Sequence, residues 1–166
     1  MASPKADAWM FAIQKEFASL ERYGVLKEVT QTNDLRLLST TWVFREKTNA
    51  HGNLLEEKAQ LYIRGFLQVE GLDFHDPFAA TGRLATLCFL LGYCAEKDLD
   101  LHQMNVKTAF LHGDLNEVIH ISLPEGYQPS GSGDLCLRLK KSLYGLCQSP
   151  RNWYFKIKTF FLAAGF

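Results

Sequence analysis

Three observations predict an α+β fold for this 166-residue chain. Residues 6–22 carry Trp9, Ile13, Phe17 and Leu20 at helical spacing, which makes one apolar face. Residues 41–66 read as two strand-like runs around a turn-forming stretch, and that is the pattern of a hairpin. Near the end, Pro150 stands where a first helical turn tolerates proline and introduces a further amphipathic run. The resulting order of helix, hairpin, helix, strands and helix is compatible with an α+β arrangement.

Each element has its own warrant. In the hairpin, 41–47 alternates as a strand, 49–53 supplies the turn with Gly52, and 54–66 returns. On the return strand Ala59, Leu61 and Ile63 share one face, while Lys58, Gln60, Tyr62 and Arg64 share the other. The second face is thus basic and aromatic. A helix starts at Thr81 or Gly82 and runs to about Lys97. Being apolar nearly all round, it is expected to be buried. Residues 99–106, 119–123 and 135–139 read as strands, the last two separated by the Gly/Ser/Pro loop 129–133. The final helix covers 151–163, with Gly165 placed to cap it.

Composition narrows the class. At 47% hydrophobic and 13% aromatic residues the chain can build a sizeable core. Its four cysteines, Cys88, Cys94, Cys136 and Cys147, lack C-x-x-C spacing, so free thiols in a reducing, intracellular setting (cytoplasm or nucleus) are expected. The polar start Met1–Asp7 does not resemble a leader, and the apolar run 84–95 is too short to span a bilayer. Formal net charge is zero, but its distribution is uneven. Residues 67–134 carry 3 basic and 10 acidic groups, and residues 135–166 carry 6 and 0. The basic end, Arg138, Lys140, Lys141, Arg151, Lys156 and Lys158, is either a phosphate-binding stripe or a solvated face.

From Trp9 onward, blocks recur in the order found in one family. They include Trp42-Val43-Phe44-Arg45-Glu46-Lys47, Lys58-Ala59-Gln60-Leu61, Gly71-Leu72-Asp73-Phe74, Gln103-Met104-Asn105-Val106-Lys107-Thr108-Ala109-Phe110-Leu111, Pro124-Glu125-Gly126-Tyr127, Lys141-Ser142-Leu143-Tyr144-Gly145-Leu146 and Pro150-Arg151-Asn152-Trp153. Together they resemble the N-terminal part of a copia-type retrotransposon reverse transcriptase. The resemblance implies the fingers and partial palm of a right-hand polymerase, with 1–98 and 112–140 fingers-like and 99–111 and 141–166 palm-like. It also implies RNA-directed DNA synthesis from deoxynucleoside triphosphates with Mg2+, on an RNA or DNA template-primer.

Within that resemblance two positions depart. Asn105 stands where the family carries a metal-binding aspartate. Two-metal phosphoryl transfer needs clustered anionic oxygens to hold ions roughly 3.5–4 Å apart, and a neutral amide is a poor Mg2+ ligand. Position 60, usually arginine in the family, is Gln60, which lacks the charged fork that grips a phosphate. A tolerated surface substitution is the alternative reading of Gln60. Other positions keep the pattern. Phe110 corresponds to the aromatic under the nucleotide sugar, or is a core ring. Tyr144 corresponds to a position facing nucleotide and template, or is a turn tyrosine. Lys58 is expected at the nucleotide. Arg64, Lys140, Lys141 and Arg151 are expected at nucleic acid, with a structural role the competing reading of Arg151. Asp98 and Asp100 precede Asn105 by five to seven residues, roughly 16–23 Å in an extended strand, and cannot replace the acid. Asp114 reads as a loop residue, and His102, His112 and His120 show no ligand spacing.

Copia-type enzymes continue beyond the Gly165-Phe166 position into a hairpin bearing Tyr-Val-Asp-Asp. The expectation is therefore a partial domain ending before that hairpin, catalytically inactive, with no cofactor of its own. The alternative is a non-catalytic nucleic-acid-binding or assembly protein that pairs with an intact reverse transcriptase.

Overall fold

The computed structural model describes residues 5–166. The first four positions, which include most of the polar start weighed above, lie outside it. Helix α1 (Ala6–Arg22) buries Ala12, Ile13, Glu16 and Leu20. The chain then turns at Gly24, whose φ of 62° suits a residue without Cβ.

Strands β1 (Leu26–Thr30) and β2 (Leu37–Leu38) come next. The hairpin is formed by β3 (Thr40–Thr48) and β4 (Leu54–Ile63), antiparallel, with Trp42 opposite Leu61 and Val43 opposite Gln60. Its turn is held by Asn49, whose Oδ1 accepts the backbone N–H of His51 and of Asn53 at 2.9 Å each. This is local side-chain capping of the kind asparagine supplies in turns. A second sheet of four strands has the order β1-β6-β5-β2, where β5 is His120–Ile121 and β6 is Leu135–Leu139. Helix α3 (Ser149–Ala163) closes the chain, with Pro150 in its first turn and Gly165 at φ 91° just beyond it.

The main core lies between the four-stranded sheet, α1 and the end of β4. Leu20, Leu61, Leu111, Ile121, Leu137 and Leu143 are each fully inaccessible. Trp42 packs edge-on against Phe17, 5.3 Å between centroids, and donates its indole N–H to the Glu125 carbonyl at 3.0 Å. That bond ties the hairpin to the Pro124-Glu125-Gly126 turn.

Several expectations need correction. The return strand stops at Ile63 rather than 66, because residues 65–67 form a 3-10 turn in which Gln68 N–H bonds the Gly65 carbonyl at 2.9 Å. Helix α2 begins later than expected, at Leu84–Glu96, and none of its residues is buried. An all-round apolar helix has no preferred face, and no element among the described residues packs against it extensively. Leu84, Leu87, Phe89, Leu90, Leu91 and Tyr93 therefore remain exposed. Residues 99–106 form no strand. A strand exists only through a neighbour that completes its ladder, and no described segment supplies one. The expected strand at 119–123 shrinks to two residues, His120 and Ile121, which pair with Arg138 and Leu137 on one side and with Leu37 and Leu38 on the other. Strands β1 and β2 were not foreseen.

Among the described residues no helix is long and apolar enough to cross a membrane. All four cysteines are unpaired.

Candidate nucleotide and nucleic-acid site

Where β4 ends, the turn 142–148 meets it with almost no clearance. Ile63 donates its N–H to the Tyr144 carbonyl at 2.8 Å. A Cβ on Gly65 would fall 1.9 Å from the Gly145 carbonyl oxygen, and one on Gly145 would fall 2.1 Å from the Ile63 carbonyl oxygen. Gly145 also sits at φ 91°, a region that side chains other than glycine rarely adopt. Two backbones can approach this closely only without side chains. A further set of hydrogen bonds reinforces the junction. Cys147 N–H donates to Gln68 Oε1 at 2.8 Å, Gln68 Nε2 donates to Gln148 Oε1 at 3.1 Å, and buried Gln148 donates to the Asp73 carbonyl at 3.0 Å.

This junction gathers side chains predicted to meet nucleotide. Tyr62 stacks on Tyr144 with centroids 5.3 Å apart, and Phe110 meets the same ring edge-on at 5.6 Å. Gln60 lies on the same strand face as Tyr62. Burial pushes the Tyr144 hydroxyl up to about 12, with the nearby Glu16 charge adding to the effect. Gln60 is only 8% exposed, so it is an interior amide and not the tolerated surface substitution.

Phe110 is placed by a short 3-10 turn, Ala109–His112, which follows Thr108 at φ 52°. A β-branched residue in the left-handed region is strained, and such strain concentrates where a segment has a task beyond packing. Thr108, Glu16, Lys58 and Ala59 line one small cleft.

Glu16 is the residue sequence reasoning passed over. It accepts the Leu61 N–H at 3.3 Å while 7% exposed, and burial raises its pKa. The Lys58 ammonium partly offsets this. The available signal was its position four residues from both Ala12 and Leu20, an acid inside the apolar stripe of α1.

Asn105 is not drawn into the cluster. It lies in the irregular, exposed segment before Thr108. The extended-strand spacing that separated it from Asp98 and Asp100 does not apply to that conformation. Even so, no three His, Cys, Asp or Glu side chains among the described residues converge to hold a metal ion. Asn105 itself would offer a Mg2+ ion one neutral carbonyl oxygen and no charge.

The basic residues divide. Arg64 and Lys140 are exposed and Lys141 is half-buried, and none of the three forms an ion pair among the described residues. Arg151 pairs with Asp76 at 3.1 Å and lies over the Phe155 ring, which favours its structural reading. Lys156 pairs with Asp114 at 2.8 Å. Arg138 belongs to a different surface, level with Lys27 and His120 across the sheet. The basic end is therefore not one stripe. His112 is half-buried, its ring against those of Tyr23 and Trp153.

The β3–β4 hairpin and the turn 142–148 thus meet at an aromatic cluster. Comparison with known proteins gives it a class: the family described as reverse transcriptase (RNA-dependent DNA polymerase) matches residues 23–166, and the chain belongs to that family. More particularly, it is 39% identical over 160 residues to the Retrovirus-related Pol polyprotein from transposon TNT 1-94 of Nicotiana tabacum, covering 96% of this chain and 12% of that protein. It is also 33% and 32% identical over 130 residues to the Retrovirus-related Pol polyproteins from transposons RE2 and RE1 of Arabidopsis thaliana. Each match covers 78% of this chain and 9% of the relative. The chain thus spans about a tenth of the length of these curated relatives. No solved structure matches it.

Proposed function

We propose that this chain is the fingers and first palm portion of a copia-type retrotransposon reverse transcriptase, in a copy whose catalytic metal site is disabled at Asn105. The observation that carries inactivity is the amide itself, at the position where the family places a metal-binding aspartate, within a match covering residues 23–166. One carbonyl oxygen contributes no charge to offset the repulsion of two divalent ions. Tyr62, Phe110 and Tyr144 would form the remnant of a deoxynucleotide pocket, with Lys58 beside it. Arg64, Lys140 and Lys141 would approach the phosphates of an RNA or DNA template-primer.

The test replaces the corresponding segment of an active relative with residues 5–166 of this chain, so that activity does not depend on where this sequence ends. The chimera is expected to extend a primer on an RNA template at least about a hundredfold more slowly than its Asn105→Asp counterpart, in Mg2+ or Mn2+. Removing a group that stabilises the transition state by about 2.7 kcal/mol or more corresponds to that factor. Equal extension by the two chimeras would overturn the assignment of Asn105. A second reading, a non-catalytic nucleic-acid-binding or assembly protein acting beside an intact reverse transcriptase, is supported by the cations that lack carboxylate partners.

A further inference from the structure

Alternation along β1, β6, β5 and β2 gives the four-stranded sheet two faces. On one of them Leu26, Leu137, Leu139, Ile121 and Leu38 join the core, to which β4 and the 142–148 turn contribute Leu61 and Leu143. The other face points away from that core and carries a row of nitrogen bases. Lys27 stands directly opposite Arg138, Arg138 opposite His120, and His120 level with Leu37. Lys27 and Arg138 are exposed, His120 is half-buried, and none of the three forms an ion pair among the described residues. The remaining paired positions on this face are Val29 and Cys136, so no strand brings a carboxylate to it. Like charges directly opposite each other weaken a ladder. Lys27 and Arg138 thus cost the sheet stability that an anion lying across them would restore.

We infer that this outward sheet face is a second nucleic-acid contact, in which Lys27, Arg138 and His120 hold the backbone phosphates of a duplex. The inference rests on the nucleic-acid reading of the chain and adds to it a surface separate from the Tyr62/Phe110/Tyr144 cluster. The composition of the face selects the partner. A protein interface draws its affinity from a buried aromatic or aliphatic anchor, and here the row is flanked only by Val29, Cys136 and Leu37. Single strands are held by bases stacked on aromatic rings, and the paired positions of this face carry no Trp, Tyr or Phe. Cations without anchors or stacking platforms match the contact that reads only phosphate charge, which is independent of sequence.

The experiment uses the whole chain with 13C-labelled histidine rings, the His120 signal being identified by its loss in His120→Gln. The probe is a short RNA–DNA duplex, with a second of scrambled sequence. In the free chain burial, and then the Arg138 charge, hold the His120 pKa below its ordinary value. Level with it stand Arg138 on β6, with Lys27 beyond, and apolar Leu37 on β2. A phosphate on the row favours the protonated ring, so either duplex is expected to shift the His120 signal and raise the pH at which it titrates. Lys27→Gln with Arg138→Gln is expected to weaken binding of both duplexes at least about fivefold. The slope of log affinity against log salt should fall by about 0.9 for each phosphate no longer neutralised, and the variant should melt no earlier than the parent. A double variant that binds as the parent does overturns the proposal, and if Arg64→Gln then loses binding, the nucleic-acid reading stands without it. Should the double variant unfold, the parent decides: a His120 signal unmoved by bound duplex overturns the proposal. A polyglutamate peptide that moves this signal as strongly as the duplex overturns it in favour of an acidic protein partner. A parent chain that binds neither duplex sinks both the row and the nucleic-acid reading.

Discussion

Gly65 and Gly145 show how a residue without a side chain can carry a junction. Gly65 needs no unusual φ, so its constraint is purely the space that Gly145 occupies. Its neighbour is backbone rather than the movable end of a side chain, and relief would require the β4 end and the 142–148 turn to part. Gly65→Ala is therefore expected to cost about 3 kcal/mol or more, near the upper range for overpacking. Gly82→Ala, where a Cβ would meet nothing within 4 Å, serves as the comparison and should stay within about 0.5 kcal/mol of the parent. Denaturant unfolding of both variants checks this. A Gly65→Ala chain as stable as the parent would mean that the two backbones are not held together.

At the scale of elements, the basic groups sort by what holds them. Lys156 on α3 already has the Asp114 carboxylate, and Arg151 has Asp76. Lys140 and Lys141, at the exit of β6, have no carboxylate partner among the described residues. If the chain binds nucleic acid as proposed, Lys140→Glu with Lys141→Glu should weaken it several-fold more than Lys156→Glu. The slope of log affinity against log salt should fall by about 0.9 for each duplex phosphate that the protein no longer neutralises. Fluorescence anisotropy on a short RNA–DNA duplex over a salt series measures both quantities. Equal effects from the two changes would show that pairing with Asp114 does not decide which cation is available.

Across the whole molecule, apolar surface is distributed unevenly. The sheet, α1 and the β4 junction bury a continuous core, whereas α2 and the outer part of α3 expose large side chains, among them Leu87, Phe89, Phe160 and Leu162. Exposed apolar area on this scale favours association. The chain 1–166 is expected to self-associate at micromolar concentration. Leu87→Glu with Leu91→Glu should shift it towards smaller species in sedimentation velocity while changing unfolding free energy by no more than about 0.5 kcal/mol, because neither side chain is buried. Loss of the folding transition in that double variant would show instead that α2 contributes to the core.

The sequence by itself determined the elements whose patterns are local: α1 from its apolar stripe, the β3–β4 hairpin from alternation around residues 49–53, and α3 from Pro150. The order of the family's blocks was legible too, as were the departures at Asn105 and Gln60. Tertiary structure alone decided what those blocks do for one another. Trp42 bonds Glu125, Gln68 bonds Gln148, and Gly65 faces Gly145, pairs separated by 80 residues or more with no local signature. It also decided that Gln60 is interior, since strand alternation assigns a face and only the partner across it determines whether that face is covered. The same reason explains two of the failed expectations. Hydrophobic periodicity reports how much surface a segment has to bury, as in α2, or that it can extend, as in 99–106. Burial and strand pairing depend on a second surface arriving from elsewhere in the fold.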